Sequence, residues 1–154
     1  MYLSVLALHS WNRWLALALG TAATVNAFRQ PPRVVDGRPR GSRWDTLFMA
    51  AVDLQVLLGL LLYLGLSPYG TETMNDVSRA MKSATLRFWG VEHEVLAFLS
   101  VIAVRLGRIL AVTGNPDARR NRRLICFVAA MVLMILAAFL ERRPWFRAWP
   151  ASLP

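Results

Sequence analysis

The sequence predicts an all-α fold: four transmembrane helices in an up-down-up-down bundle, with a short interfacial helix between the second and third. Three observations predict it. Hydrophobic residues make up 56% of the 154-residue chain, and the mean hydropathy is +0.40, which is unusual for a water-soluble domain of this size. Four stretches, about 3–28, 46–66, 88–112 and 124–141, approach or exceed the roughly 20 apolar residues of a helical membrane crossing. Basic residues gather at the ends of these stretches, the pattern that orients membrane helices. The stretches leave little sequence for a separate soluble domain, so residues 1–154 read as one integral membrane domain.

The first span could be mistaken for a signal peptide, since "VNA" at 25–27 resembles a cleavage site. It lacks a positive leading region, and His9, Asn12 and Arg13 interrupt its apolar run, so it reads as a permanent helix. It ends at "FRQPPRVVDGRPRGSRWD" (28–45), where Pro31, Pro32 and Pro39 stop a helix and Gly37 and Gly41 favour turns. The second span closes at "SPYG". "TETMNDVSRAMKSATLRF" (71–88) places Met74, Val77, Met81 and Ala84 at roughly helical spacing, as expected for one helix lying on the membrane surface. "TGNPDARRNRR" forms the turn before the fourth span. The tail "ERRPWFRAWPASLP" sets aromatic rings among arginines, an interfacial anchor.

The net charge of +9 raises nucleic-acid binding. The arginines cluster at span ends rather than along an aromatic-laced surface, so no nucleic-acid partner is expected. Eleven basic residues (Arg29, Arg33, Arg38, Arg40, Arg43, Arg105, Arg108, Arg119, Arg120, Arg122, Arg123) lie on one side. Six (Arg79, Lys82, Arg87, Arg142, Arg143, Arg147) lie on the other. This asymmetry places both termini in the periplasm of a bacterial inner membrane. Cys126 is the only cysteine, so no internal disulfide forms.

The chain has two histidines, His9 in "LHSWNRW" and His93 in "VEHEVLAF". Spans 1 and 3 run in the same direction, and both histidines fall about 10 Å below the same interface at 1.5 Å per residue. In such a bundle these helices face each other diagonally. Two imidazoles at equal depth on facing helices are the arrangement that a b-type haem needs, with His9 and His93 as axial ligands to iron. Ala16 and Gly20, with Ala97 and Ser100, leave room for a flat macrocycle along the two faces. Trp11, Trp14, Phe88 and Trp89 supply walls, and Arg13 or Arg87 a partner for propionates. No histidine remains for a second haem, and Met49 or Met81 would be an unsupported ligand.

Other readings of the same residues stay open. The histidines can serve polar interhelical contacts with Glu92, Glu94 or Asn12 and hold no cofactor, or form a His–carboxylate metal site with Glu92 or Glu94. Arg13 and Asp53 both approach the midplane, where an unpaired charge costs several kcal/mol. A buried Arg13–Asp53 salt bridge is therefore expected, joined by Gln55, either as a structural pair or as a proton or quinone-headgroup site. No serine–histidine–acid set, phosphate loop or cysteine-rich metal motif is present, which points away from hydrolysis and phosphoryl transfer.

Three motifs carry a resemblance: "HSWNRW" (9–14), "LQVLLGLLLYLGLSP" (54–68) and "RFWGVEH" (87–93). Together they resemble small bacterial four-helix membrane proteins commonly labelled cytochrome b-like, over most of residues 9–93. The resemblance implies His9 and His93 as haem ligands. A histidine frequent in that family just before the Leu-Gln pair is Asp53 here. The expected function is electron transfer by one haem near the periplasmic face, between a quinol pool and a periplasmic carrier or membrane partner. The competing expectation is a haem-free accessory subunit of a larger respiratory or photosynthetic membrane complex. A small transporter is a weaker third, because no broken helix or repeat is visible. An electron carrier or complex subunit is expected ahead of a stand-alone enzyme.

Overall fold

The computed structural model describes residues 1–29, 33–35, 38–112 and 115–139. The aromatic-arginine tail and the end of the fourth predicted span lie outside them, as do the side chains of Arg33, Arg38 and Arg40. The fold is all-helical. Its one departure among the described residues is a short antiparallel ribbon, β1 (Arg33–Val35) with β2 (Arg38–Arg40), in the proline-rich connection.

Four long helices form the body: α1 (Tyr2–Arg29), α2 (Arg43–Leu61), α6 (His93–Leu110) and α7 (Pro116–Phe139). They pack in the cyclic order α1, α2, α6, α7, with α7 closing on α1. The cross-helix contacts show that neighbours run antiparallel. His9 and Gly20 of α1 meet Gly59 and Phe48 of α2, and Gly107 and His93 of α6 meet Phe127 and Ala137 of α7. Consequently α1 and α6 run parallel across the diagonal, and both begin at the same end of the molecule. Two helices, Arg43–Leu66 and Asp117–Ala138, are long and apolar enough to cross a membrane. His9, Asn12 and Arg13 dilute the apolar character of α1, and Glu94, Arg105 and Arg108 that of α6.

The packing puts small residues inside and large ones outside. Ala16, Ala23, Ala51 and Ala130 are buried with Phe48, Val52, Val104, Phe127 and Met134. Phe48 and Phe127 meet edge to face, 5.7 Å between centroids. Leu, Ile, Val and Phe side chains stay exposed on every long helix, among them Leu15, Leu57, Ile102 and Ile125. Small residues let helix backbones approach closely where apolar burial gives no advantage. Gly20 belongs to this packing: a Cβ there would come within 2.9 Å of the Phe48 ring. It therefore serves α1–α2 contact and leaves no space for a macrocycle, contrary to the sequence expectation.

Two expectations about the connections are corrected. The single helix expected over 71–88 is three short ones: α3 (Pro68–Asn75), α4 (Val77–Lys82) and α5 (Ala84–Arg87). Asp76 and Ser83 interrupt it, because their side chains cap the next helix by accepting from the backbone N–H of Arg79 (2.9 Å) and Leu86 (3.5 Å). The arginine run before Leu124 is already helical, since α7 starts at Pro116. Asn115 caps it by accepting from the Ala118 N–H at 2.8 Å, and proline suits the first helical position.

Wide π-helical turns mark the end opposite the arginines: Leu62–Leu66 extends α2 and Phe88–Glu92 leads into α6. α3 wedges between them. A Cβ on Gly70 would overlap the Tyr63 carbonyl, and one on Gly90 the Thr73 side chain. At the arginine-rich end, Arg123 of α7 is buried and donates to Asp45 of α2 and to Asn26 of α1 (3.2 Å). Asp45 is buried too and accepts the Ser42 N–H in the capping box that opens α2.

Removing one partner of a buried ion pair strands the other. Asp45→Leu should lower unfolding free energy by about 3–5 kcal/mol, and Asp45→Leu with Arg123→Met should recover most of it. Thermal and denaturant unfolding in detergent, followed by circular dichroism, measures both.

Candidate functional site

A cavity of about 410 Å³ opens between the four helices at the end where α1 and α6 begin. That volume falls within the roughly 300–1,000 Å³ of small-molecule and cofactor sites. Both histidines line it, with Arg13, Gln55, Trp89 and Glu94. Its flanks are made small by Gly59 on α2 and Ala137 and Ala138 on α7.

His9 and His93 face each other across the diagonal, with ring centroids 6.2 Å apart and planes inclined by 53°. Each ring is tied to a neighbouring helix. The Nδ1 of His93 lies 2.8 Å from the Ala137 carbonyl oxygen. A carbonyl only accepts, so Nδ1 carries the proton and Nε2 is the acceptor nitrogen. Trp89 packs against the same ring at 5.2 Å. The Nε2 of His9 lies 3.0 Å from Nε2 of Gln55. Gln55 is itself held by Asn12, whose Nδ2 donates to Gln55 Oε1 (2.8 Å) and to the Ala51 carbonyl (2.9 Å). The Nδ1 of His9 is buried and has no hydrogen-bond partner among the described residues.

The structure brings together only part of the predicted site. His9, His93 and Arg13 share the cavity, with Ala97, Ser100 and Trp89. Arg87 does not line it: its Nε donates to Glu92 at 2.8 Å, and both side chains are exposed. Of the two cations expected near propionates, the cavity contains Arg13 alone among the described residues. Trp11 is turned outward. Met49 lies at the far end beside Arg108, and Met81 is exposed on α4. Among the described residues no group of three His, Cys, Asp and Glu side chains is arranged to hold a metal ion, which leaves the alternative of a His–carboxylate metal site without its cluster.

The Arg13–Asp53 salt bridge is also replaced. Asp53 accepts from Arg105 of α6 at 2.8 Å, and both groups are partly exposed. The reason is rotational: α2 turns Ala51, Gln55 and Gly59 toward α1, and Asp53 lies about 200° from Gln55 around the helix. Gly59 and Ala137 were not singled out from the sequence, and Gln55 was expected beside Arg13 and Asp53 rather than at a histidine. Ala51, Gln55 and Gly59 recur every four residues on a leucine-rich helix. That stripe of small and polar positions is the signal for the face that meets α1.

Comparison with family models, curated proteins and solved structures found no match.

The assignment of Asp53 to Arg105 has a direct check. Double-mutant cycles of unfolding should give a coupling of about 0.2–1 kcal/mol for Asp53 with Arg105 and none for Asp53 with Arg13.

Proposed function

We propose that this chain is a four-helix protein of the bacterial inner membrane, with both termini periplasmic. In this reading it holds one b-type haem between His9 and His93 and carries electrons between a quinol pool and a periplasmic or membrane-bound partner. The observation that carries the proposal is the 6.2 Å separation of the two imidazoles across a cofactor-sized cavity. Two imidazoles on one metal, each about 2.0 Å from it by the nitrogen, have ring centres about 6 Å apart once half a ring is added on each side. The resemblance of "HSWNRW" and "RFWGVEH" to cytochrome b-like membrane proteins points the same way.

The membrane part of the proposal rests on the exterior. Large apolar side chains are exposed on all four long helices, which supports an exterior that faces lipid. The arginines that flank that surface at one end support that end as the cytoplasmic side.

The residues fit the group in spacing, flanks and charge. His93 would supply one nitrogen ligand to the iron. Its Nδ1–H is already given to the Ala137 carbonyl, an arrangement that fixes ring orientation and raises the basicity of Nε2. His9 would supply the other, through a nitrogen that now accepts from Gln55. Gly59 makes room for the His9 ring itself, Ala137 and Ala138 keep the α7 wall small, and Trp89 closes over His93. Arg13 offers a positive charge to a propionate. When bound, haem supplies a reversible one-electron iron couple; the protein excludes water and holds the two rings in place.

One observation favours the alternative of a haem-free accessory subunit in a larger respiratory or photosynthetic complex. Both imidazoles already have hydrogen-bond partners within the protein.

Spectra decide between the two. Protein expressed with haem supplied and purified in mild detergent should show sharp α and β bands after dithionite reduction. His9→Ala and His93→Ala should each remove that low-spin signature while helix content is retained. A featureless spectrum from folded wild type would reject the haem reading and favour the accessory subunit.

A further inference from the structure

The hydrogen bonds around His9 form a chain with only one consistent direction. It starts at the Ala51 carbonyl, which can only accept, so the Asn12 atom 2.9 Å away must be the amide nitrogen. That same nitrogen lies 2.8 Å from the Gln55 side chain, which therefore presents its oxygen to Asn12. With Oε1 so placed, Gln55 turns its Nε2 toward His9, 3.0 Å from the ring Nε2. An amide NH₂ donates and does not accept. The ring Nε2 must accept, and the proton of neutral His9 must sit on Nδ1. Reversing any one amide would put two acceptors or two donors face to face.

From this we infer that Gln55 is a positioning residue: oriented by Asn12 and the Ala51 carbonyl, it sets which ring nitrogen of His9 carries the proton. The two histidines of the cavity are thereby made unequal. His93 has its Nδ1–H committed to Ala137 and its Nε2 as the acceptor nitrogen. His9 has its acceptor nitrogen covered by a Gln55 N–H, and its Nδ1–H lies on the Gly59 side, where a Cβ on Gly59 would come within 3.8 Å of Nδ1. This deepens the haem reading above. A metal taking Nε2 of His9 must first displace the Gln55 amide.

The test reads the tautomer in haem-free protein, so it stands apart from the haem reading. With only two histidines in the chain, ¹⁵N-histidine labelling gives two ring spin systems, assigned with His93→Gln. In wild type, long-range ¹H–¹⁵N correlation should show His9 with a protonated Nδ1 and an acceptor-type Nε2. Gln55→Leu removes the donor, and His9 should shift toward the Nε2–H form that free neutral imidazole prefers. Asn12→Leu keeps Gln55 but releases its orientation and should move His9 the same way. His93, held by Ala137, should be unchanged in both variants and serves as the internal control for folding.

Hemin titration adds the link to the cavity's ligand. Gln55→Leu should change hemin affinity by about tenfold or less, because the loss of one competing hydrogen bond is opposed by the cost of returning the proton to Nδ1 before Nε2 can ligate. Wild-type His9 protonated on Nε2, or a His9 pattern untouched by Gln55→Leu, would overturn the inference. A Gln55-dependent pattern in protein that binds no hemin would uphold it and reject the haem reading alone.

Discussion

The buried pair of Arg123 and Asp45 is the contact on which the helix arrangement turns. Arg123 comes from the start of α7, Asp45 from the start of α2 and Asn26 from the end of α1. One guanidinium therefore joins three helices, two of them diagonal to each other. A charge this deep has a large desolvation cost, so its register is fixed wherever its carboxylate is fixed. Asp45 is fixed by the helix cap it shares with Ser42. From that closed end the antiparallel helices run through an alanine-rich waist, where Phe48 and Phe127 fill the centre. The opposite end is open at its centre. There the inward polar groups lie at the walls, and the space between them is the cavity.

The two ends thus have different jobs. The arginine-rich end holds the helices in register with one buried ion pair. The histidine end is held from outside, by α3 wedged between two π-helical turns at Gly70 and Gly90. Peripheral support of this kind leaves the interior open without letting the helices splay. It also explains why helix-breaking residues concentrate between α2 and α6. Ser67, Asp76 and Ser83 break the connection into short helices, the first of which brings Pro68 and Tyr69 to the cavity wall.

How far the sequence revealed this depends on which residues are considered. The all-helical class was legible in the apolar stretches, because a run of about 20 apolar residues has few other ways to satisfy its backbone. The meeting of His9 and His93 was legible as well, since both follow the start of helices that run the same way. Rotation about each helix axis was not. Asp53 and Gln55 are two residues apart and nearly opposite on α2, and only the packed structure shows that Gln55 meets α1 while Asp53 meets Arg105. Gly20 misled for the same reason: its small size reflects contact with Phe48, not space. The capping roles of Asp76, Ser83 and Asn115 were present in the residue types but hidden by an otherwise helical spacing.

The π-helical turn at Phe88–Glu92 ties this architecture to the length of the chain. Such a turn is how a helix absorbs one surplus residue without unravelling. Deleting a single residue from that segment would restore ordinary helical winding, because the five residues of the wide turn advance about as far round the axis as four residues of an α-helix. His93, the first residue after the turn, would keep nearly the same direction. Two chains of this design that differ by one residue there could therefore assemble the same cavity. In tracing its ancestry, an aligned gap between Arg87 and His93 carries less weight than one inside α6, where the loss of a residue turns everything beyond it by about 100°.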